Sequence, residues 1–208
     1  MNKPPCRGLY AITDAVLLPG DRLTGAVEQA IFGGARLIQY RDKSHDTARR
    51  LAQAEALNEL CQHHAIPLII NDDVELAARV GAAGVHVGKN DPAFAIARAR
   101  LGDRAIIGVS CYDRLDLALE AARAGADYVA FGAFFPSPTK PPEIRASIAL
   151  LRQARTALNI PIVAIGGITP DNAPLLLEAG ADALAVVSAV FAQPDVRAAA
   201  RRFAALFA

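Results

Sequence analysis

The sequence predicts a single (β/α)8 barrel, because eight strand-like runs alternate with helix-like stretches and a short motif recurs before every second strand. Most of the strand-like runs are apolar throughout their centres, as is typical of strands buried on both faces of a parallel sheet. The strand-like runs are Gly8–Asp14, Ala35–Asp42, Pro67–Asp72, Gly84–Gly88, Ala105–Cys111, Asp127–Phe135, Pro161–Gly167 and Ala183–Ala189. The helix-like stretches are Leu23–Phe32, Thr47–His64, Val74–Val80, Pro92–Leu101, Asp113–Ala124, Ser147–Leu158, Asp171–Ala179 and Asp195–Phe207.

The recurring motif consists of small residues followed by a strand. It appears as GGARLIQY from Gly33, GAAGVHVG from Gly81, AGADYVAFG from Ala124 and AGADALAVV from Ala179. Such a repeat is expected of a closed barrel built from βαβα quarters. An open doubly wound sheet, the competing fold, usually carries a G-x-G-x-x-G turn after its first strand, whereas this strand ends Ile12-Thr13-Asp14. No linker interrupts the pattern, so we predict one catalytic domain over residues 1–208.

Composition and charge argue against several classes of function. The 208 residues are 53% hydrophobic, enough for one sizeable core, and the net charge of +1 gives no basis for nucleic-acid binding. The apolar runs are shorter than the roughly 20 residues of a membrane span, and Met1–Gly8 lacks the apolar segment of a signal peptide. Three widely spaced cysteines favour neither a disulfide framework nor a zinc site, so we expect a cytoplasmic protein.

Three basic residues are predicted to lie at the barrel mouth, where the C-terminal ends of the strands meet. Arg41 and Lys43 follow the second strand, and Lys140 lies in the loop after the sixth. Arginine presents a planar fork to phosphate and lysine a compact charge, so the three residues favour an anion site. The alternative is that Arg41 and Lys43 form ordinary surface pairs with Asp42 or Asp46.

Two carboxylates are predicted at the same mouth. Asp72 ends the third strand and Asp91 follows the fourth. Two carboxylates with phosphate oxygens and water are a typical Mg²⁺ shell. The alternative is helix capping, which Asp73 or Asp91 could perform. Capping and metal binding are compatible for Asp91, and with the three cations the two carboxylates suggest a metal-bridged pyrophosphate.

The ends of the last two strands predict a second anion site. Gly166-Gly167 and Val187-Ser188 occupy the positions where barrels of this kind hold a monophosphate with backbone N–H groups. The alternative for the glycines is a tight turn that needs their conformation. The nearby loop Ser137–Pro142 is stiffened by three prolines and presents the hydroxyls of Ser137 and Thr139.

Covalent catalysis is not predicted. His86 lies inside the fourth strand, where a lone histidine is more often a satisfied interior residue than a base. Ser110 and Cys111 end the fifth strand, but no His–Asp partner is visible to activate either of them.

Seven short motifs run in one order along nearly the whole chain. They are QYRDK at Gln39–Lys43, INDD at Ile70–Asp73, GVHVGKND at Gly84–Asp91, IGVS at Ile107–Ser110, FGAFFPSPTK at Phe131–Lys140, VAIGGI at Val163–Ile168 and VVSA at Val186–Ala189. Together they resemble the thiamine-phosphate synthase family. The resemblance implies a TIM-barrel transferase of a pyrimidinylmethyl group, acting in thiamine biosynthesis. It would join 4-amino-2-methyl-5-hydroxymethylpyrimidine diphosphate to 4-methyl-5-(2-phosphoethyl)thiazole, or its carboxylate, giving thiamine monophosphate and pyrophosphate.

The resemblance also implies the site residues. The pyrimidine diphosphate would be bound by Gln39, Arg41, Lys43, Asn71, Ser110 and Lys140, with Tyr40 and Asp42 from the same motif. The thiazole phosphate would be bound by Ser137, Pro138, Thr139, Gly167, Val187 and Ser188. Mg²⁺ would be held by Asp72 and Asp91, and the catalytic residues would be Arg41, Lys43, Ser110 and Lys140. The implied mechanism is dissociative, with pyrophosphate leaving before the thiazole nitrogen captures the pyrimidine-methyl cation.

The chain departs from the family pattern at Lys89-Asn90, where Gln-Glu is common, and at Ser137, where threonine is more usual. Three other functions remain open. A thiazole tautomerase on the same barrel would not need the diphosphate-binding residues, and a sugar-phosphate isomerase would not explain Asp72 together with Asp91. A non-catalytic thiamine-phosphate-binding protein would keep the same residues. Apolar positions within Ala198–Phe207 would permit a homodimer.

Overall fold

The computed structural model describes residues 6–88, 93–136 and 146–208. Within them, eight parallel strands form a closed barrel in chain order, with the eighth strand paired to the first, so the predicted fold class is confirmed. The strands are β1 (Gly8–Ile12), β2 (Ala35–Tyr40), β3 (Leu68–Asn71), β4 (Gly84–Val87), β5 (Ile106–Tyr112), β6 (Tyr128–Gly132), β7 (Ile162–Ile165) and β8 (Ala183–Val186). The predictions made for Lys89, Asn90, Asp91, Ser137, Pro138, Thr139 and Lys140 lie outside the described residues.

An outer layer of helices covers the barrel. The helices are α1 (Arg22–Phe32), α2 (Thr47–His63), α3 (Val74–Val80), α4 (Ala93–Leu101), α5 (Leu115–Ala124), α6 (Ile148–Ala157), α7 (Ala173–Glu178), α8 (Ser188–Phe191) and α9 (Val196–Ala204). The sequence pattern did not predict α8, because it extended the last strand to Ala189. Val187 instead leaves the extended conformation (φ −112°, ψ −85°), and the short helix begins at Ser188. In the described parts of the chain, no helix is long and apolar enough to cross a membrane.

Two strands end before their predicted limits because the backbone turns left-handed at the mouth. Asp72 follows β3 with φ 63°, and Gly166 and Gly167 follow β7 with φ 101° and 62°. A β-strand cannot continue through residues with these φ values. The polar groups that follow these strands are therefore carried on short loops just beyond the strand ends.

Side chains along each strand alternate between two hydrophobic regions. One set packs between the strands and the helices, and the other fills the barrel interior. The interior set includes Tyr10, Leu37, Ile69, Tyr128 and Val163. The two tyrosines make this interior more polar than a purely aliphatic barrel core, and their hydroxyls form part of the candidate site.

Helix α9 packs against α1 and uses its apolar face within the chain. Ala200 and Phe203 are both fully buried, and a Cβ atom added at Gly33, after α1, would lie 2.5 Å from the Ala200 methyl carbon. Ala200 and Phe203 are thus used for packing inside one protomer, whereas Ala198 and Ala205 are exposed, and the homodimer stays a prediction.

Two aspartates fasten the N-terminal end of the barrel. Asp127 precedes β6, and its carboxylate accepts hydrogen bonds from the Ile107 N–H of β5 (2.8 Å) and from Arg98 of α4 (2.8 Å). Asp182 precedes β8, and its carboxylate accepts bonds from the first N–H of β7 (2.8 Å) and from Arg155 of α6 (2.9 Å). Both aspartates belong to an AGAD sequence. The first one connects α4 and β5 to the start of β6, and the second connects α6 and β7 to the start of β8.

Candidate active site

The end of β2 contributes one residue to the barrel interior and one cation to the mouth. Gln39 is 2% exposed, and its Nε2 donates a hydrogen bond to the Tyr10 hydroxyl of β1 (2.7 Å). Two residues on, the Arg41 N–H donates to the Thr13 Oγ1 (2.9 Å), which ties the start of the β2 loop to the end of β1. These contacts fix where the loop that carries Arg41 leaves the barrel.

Arg41 and Lys43 form no ion pair with any other described residue. The two carboxylates predicted as ordinary partners are otherwise engaged. Asp42 accepts a hydrogen bond from the Arg49 guanidinium (3.0 Å), and Asp46 caps α2 by accepting from the Arg49 N–H (3.0 Å). Within the described chain, the surface-pair alternative is therefore wrong, and anion binding by both cations stays a prediction.

Two other residues of the QYRDK motif have structural partners. Tyr40 lies on the outer side of β2, and its hydroxyl donates to Gln53 of α2 (2.9 Å). The Asp42 side chain is 2% exposed. Burial alone would raise the pKa of this carboxyl, but hydrogen bonds from Ser44 and Arg49 outweigh burial and lower it. These contacts shape the loop, and substrate binding by Tyr40 or Asp42 stays a prediction.

The end of β3 presents a carboxylate that helix capping does not use. Asp73 caps α3 by accepting from the Leu76 N–H (2.8 Å) and pairs with Arg50 (2.7 Å), so the capping alternative is confirmed for Asp73. Asp72 is exposed, and among the described residues its carboxylate accepts a hydrogen bond from Asn71 Nδ2 (2.7 Å) and forms no ion pair. Asp72 is therefore free to contact a ligand at the mouth.

The chemistry at Asp72 fits Mg²⁺, although the described residues alone do not enclose a metal there. No group of three or more His, Cys, Asp or Glu side chains that could hold a metal occurs in the described ranges. Mg²⁺ is usually bound by one or two carboxylates, substrate phosphates and water rather than by a protein cage. Asp72 fits as one hard oxygen ligand of such an ion, and a ligand role for Asp91 stays a prediction.

The turn after β7 requires glycine at two consecutive positions. A Cβ atom added at Gly166 would lie 2.3 Å from the Ala133 Cβ, and one added at Gly167 would lie 2.3 Å from the Pro136 carbonyl oxygen. The conformational role of both glycines is therefore confirmed. Because the described segment after β6 packs directly on this turn, phosphate binding at Gly167 would place that ligand next to Phe135 and Pro136.

Helix α8 begins just after β8, the strand paired with β7, and its first turn offers two backbone amides at the mouth. The Val187 carbonyl accepts hydrogen bonds from the N–H groups of Val190 (3.2 Å) and Phe191 (2.9 Å). The N–H groups of Ser188 and Ala189 belong to the first turn, which has no partners within its own helix. Ser188 and Val187 are half-buried at the mouth. Their predicted contact with the thiazole phosphate is compatible with this geometry and stays a prediction.

Five side chains form an unbroken chain of hydrogen bonds inside the barrel. Gln39 contacts the Tyr10 hydroxyl (2.7 Å), which contacts the Tyr128 hydroxyl (2.9 Å). The Tyr128 hydroxyl contacts His86 Nδ1 (2.9 Å), and His86 Nε2 contacts Ser110 Oγ (2.8 Å). We call these five residues the interior relay. It joins two residues predicted to bind the pyrimidine diphosphate, Gln39 on β2 and Ser110 on β5, across the barrel.

The sequence analysis missed Tyr10 and Tyr128. A signal for them was present in the alternation of the strands, which places Tyr10 on the same side as Ile12, and Tyr128 on the same side as Ala130. A glycine at position 108 of the neighbouring strand β5 was a second signal. A Cβ atom at Gly108 would lie 1.9 Å from the ζ carbon of Tyr128, so the glycine makes room for the ring.

His86 is an interior residue, as predicted, but it does have a serine partner, which the sequence analysis did not find. The pairing is not a nucleophile triad, because the other ring nitrogen faces the Tyr128 hydroxyl rather than a carboxylate. Burial lowers the pKa of His86 to about 4, far from the range that suits a general base at neutral pH. Burial also raises the pKa of the Cys111 thiol to about 12, which leaves it unreactive.

Stability should fall between pH 6.5 and about 4 because of His86. The folded-state pKa (about 4) lies below the ordinary value of 6.5, so the unfolded chain takes up the proton first as the pH falls. The contribution is intact above pH 6.5 and decreases below it, by on the order of 3 kcal/mol in total. Urea unfolding at several pH values should show a shallower decrease for His86→Gln than for the wild type. Equal decreases would contradict this assignment.

A closed (β/α)8 barrel whose mouth has two cations without ion pairs among the described residues, an exposed carboxylate and a glycine turn is typical of barrel enzymes that act on phosphorylated small molecules. The sequence model of the family described as thiamine monophosphate synthase matches residues 9–190. The chain belongs to this family.

Individual relatives agree over nearly the full length. The chain is 57% identical to the thiamine-phosphate synthase of Thioalkalivibrio sulfidiphilus, over 97% of this chain and 95% of that protein. It is also 57% identical to the thiamine-phosphate synthase of Nitrosococcus oceani, over 95% and 91% of the two chains. Among solved structures, thiamine phosphate pyrophosphorylase from Pyrococcus furiosus superposes with a TM-score of 0.86 at 35% identity, covering 96% of this chain and 95% of that one.

Proposed function

We propose that the protein is a cytoplasmic thiamine-phosphate synthase. Its substrates are 4-amino-2-methyl-5-hydroxymethylpyrimidine diphosphate and 4-methyl-5-(2-phosphoethyl)thiazole, or the carboxylated form of the thiazole. The observation that carries the proposal is that Arg41 and Lys43, at the same mouth as Asp72, form no ion pair with any residue that the structure describes. A tautomerase acting on the thiazole phosphate alone has no use for this combination of charges.

The reaction breaks one bond and forms one bond. The bond between the pyrimidine methylene carbon and the diphosphate oxygen breaks, and its electron pair leaves with pyrophosphate. The 4-amino group donates electron density to the resulting cation, and the lone pair of the thiazole nitrogen then forms the new carbon–nitrogen bond. No protein nucleophile is needed, which agrees with a buried His86 that pairs with Tyr128 and Ser110 rather than with a carboxylate.

The residues at the mouth have distinct tasks in this reaction. Arg41 and Lys43 bind the diphosphate and stabilise the negative charge that builds up as it leaves. Ser110 donates a hydrogen bond to the same group, and Lys140 adds a third cation. The turn at Gly167 and the first amides of α8 hold the thiazole phosphate, so that the thiazole nitrogen faces the methylene carbon.

Asp72 and Asp91 would hold Mg²⁺ against the diphosphate. When bound, the ion supplies positive charge that favours departure of pyrophosphate.

The proposed function is tested by mixing the purified protein with both substrates and Mg²⁺. We expect pyrophosphate and thiamine monophosphate to appear in equal amounts, to stop appearing when EDTA is added, and to return with excess Mg²⁺. Reactions that lack one substrate serve as controls, and the two forms of the thiazole are compared in parallel. Absence of product, with thiazole phosphate still bound, would support a tautomerase or a binding protein instead.

A further inference from the structure

We propose that the interior relay fixes the direction of the Ser110 hydroxyl proton, so that Ser110 always donates a hydrogen bond into the barrel mouth. Tyr10, Tyr128 and His86 are then positioning residues, because they act on the ligand only through Ser110. The proposal rests on the proposed function in one respect, that the acceptor in the mouth is an oxygen of the leaving diphosphate.

The direction of the relay begins at Gln39. Its Nε2 faces the Tyr10 hydroxyl at 2.7 Å, and an amide nitrogen can only donate. The Tyr10 oxygen therefore accepts, and its own proton goes to the neighbouring Tyr128 oxygen (2.9 Å). By the same step, the Tyr128 proton is donated to His86 Nδ1 (2.9 Å). Every bond in this half of the relay points the same way.

His86 passes this direction on to Ser110. Because Nδ1 accepts the Tyr128 proton, it carries a lone pair, and the ring proton must be on Nε2. Nε2 then donates to Ser110 Oγ at 2.8 Å. The serine oxygen is an acceptor in this bond, so its proton remains for another partner. No described residue accepts it, and half-buried Ser110 lies at the end of β5, where the mouth begins.

The surroundings oppose the reverse direction. Tyr10 and Tyr128 are fully buried, and His86 is 9% exposed, so water does not substitute for a missing partner. The His86 ring stacks on Tyr128 (5.5 Å between centroids, 20° between planes), and Tyr10 meets Tyr128 edge-on (6.0 Å, 87°). Reversing the relay would place the Tyr10 proton against the Gln39 amide protons. Two buried donors facing each other leave both without an acceptor, which is strongly unfavourable.

A donor held in advance suits the departure of an anion. A hydroxyl that rotates freely must reorient when charge develops on the leaving group, whereas a preorganised donor is already aligned. The relay supplies this alignment without placing a charge in the barrel interior. It also accounts for the polar side chains in a barrel interior that is otherwise apolar.

The first test is the tautomer of His86 in the wild-type protein. Long-range ¹H–¹⁵N NMR of ¹⁵N-histidine-labelled protein identifies which ring nitrogen carries the proton, and the His86 signals are assigned by their loss in His86→Gln. We expect a neutral ring protonated at Nε2. A ring protonated at Nδ1, or at both nitrogens at neutral pH, would overturn the proposal. This measurement needs no substrate and is independent of the proposed function.

Gln39→Glu is a variant that should reverse the relay. An ionised carboxylate can only accept, so the Tyr10 proton should turn toward it and each later bond should reverse. We expect the His86 proton to move to Nδ1 at a pH of about 10, once the carboxylate stretch in the infrared spectrum confirms that this buried carboxyl is ionised. Adding Tyr10→Phe to this variant disconnects the carboxylate, and the proton should return to Nε2. An unchanged tautomer in folded Gln39→Glu at this pH would show that the relay does not transmit direction.

The effect on the reaction is measured with Tyr128→Phe, which interrupts the relay beside His86. We expect kcat to fall about three- to tenfold with KM within about twofold, as for the loss of one aligned hydrogen bond. Asn58→Leu is the matched control, because it removes a buried hydrogen bond to the Val80 carbonyl (2.7 Å) outside the barrel interior. An unchanged kcat in Tyr128→Phe would overturn the positioning role. A wild-type protein that forms no product would instead refute the proposed function, and the tautomer measurement would still decide the direction of the relay.

Discussion

Arg41→Met should lower turnover by about 100- to 1,000-fold, a loss typical for removal of one group that stabilises transition-state charge. The substitution keeps most of the side-chain volume and removes the guanidinium, which forms no ion pair with other described residues. Because no such pair is broken, the fold should tolerate the change. The rate of pyrophosphate release in a single turnover reports the effect on the bond-breaking step. Binding of the thiazole phosphate, measured by calorimetry, should be unchanged.

Arg36→Met provides the matched control for this prediction. Arg36 lies on β2, the strand that leads to Arg41, but it is exposed at the opposite, N-terminal end of that strand. Its replacement should leave turnover within about twofold of the wild type, as for an ordinary surface substitution. Equal losses in the two variants would show that the effect arises from net charge or stability. No loss in Arg41→Met would remove Arg41 from the diphosphate site.

Gly108→Ala should destabilise the protein by about 3 kcal/mol and disturb the interior relay. The added methyl would lie 1.9 Å from the Tyr128 ζ carbon and 2.4 Å from both ε carbons, so the rigid ring must move. Tyr128 contacts both Tyr10 and His86, and movement of its ring would lengthen both hydrogen bonds. We expect the thermal midpoint to fall by about 6–12 °C for a chain of this size. Turnover should fall as well.

Gly25→Ala is the control of opposite sign. Gly25 lies on the exposed side of α1, has no atom within 4 Å of an added Cβ, and does not have a left-handed backbone. The same substitution should therefore stabilise the helix by about 0.5–1 kcal/mol. A Gly108→Ala variant as stable as the wild type would mean that the Tyr128 ring has room to move. The relay would then be less rigid than its contacts indicate.

The barrel could be predicted from the sequence because its pattern is carried by many residues at once. Each strand repeats the same apolar character, and a single irregular residue changes little. Strand ends were harder to predict, since they depend on the conformation of individual residues. Asp72 is left-handed without being glycine, and Val187 turns the chain into α8 although its side chain favours a strand. Neither conformation changes the hydrophobic periodicity of the sequence, so it could not be predicted from that pattern.

The candidate site was predictable only in part, for a related reason. Arg41 and Asp72 could be placed at the mouth because they follow strands in sequence. Their lack of ion pairs with other described residues could not be predicted, because it depends on where Arg49, Arg50 and the helix caps lie. The contact between His86 and Ser110 joins residues of two adjacent strands, and its direction depends on Tyr10 and Gln39, more distant in sequence. Such a series of hydrogen bonds can be identified only from the three-dimensional structure of the closed barrel.

The hydrogen bonds of Asp127 and Asp182 stabilise the closed barrel at one end, whereas the predicted binding residues lie at the other end. Each carboxylate joins three secondary-structure elements at the end farthest from the strand C-termini, through an arginine and a strand N–H that lie outside the predicted site. Mutations in the mouth loops can therefore accumulate without opening the scaffold. Over evolutionary time, such a molecule can exchange one phosphorylated metabolite for another while inheriting its architecture intact.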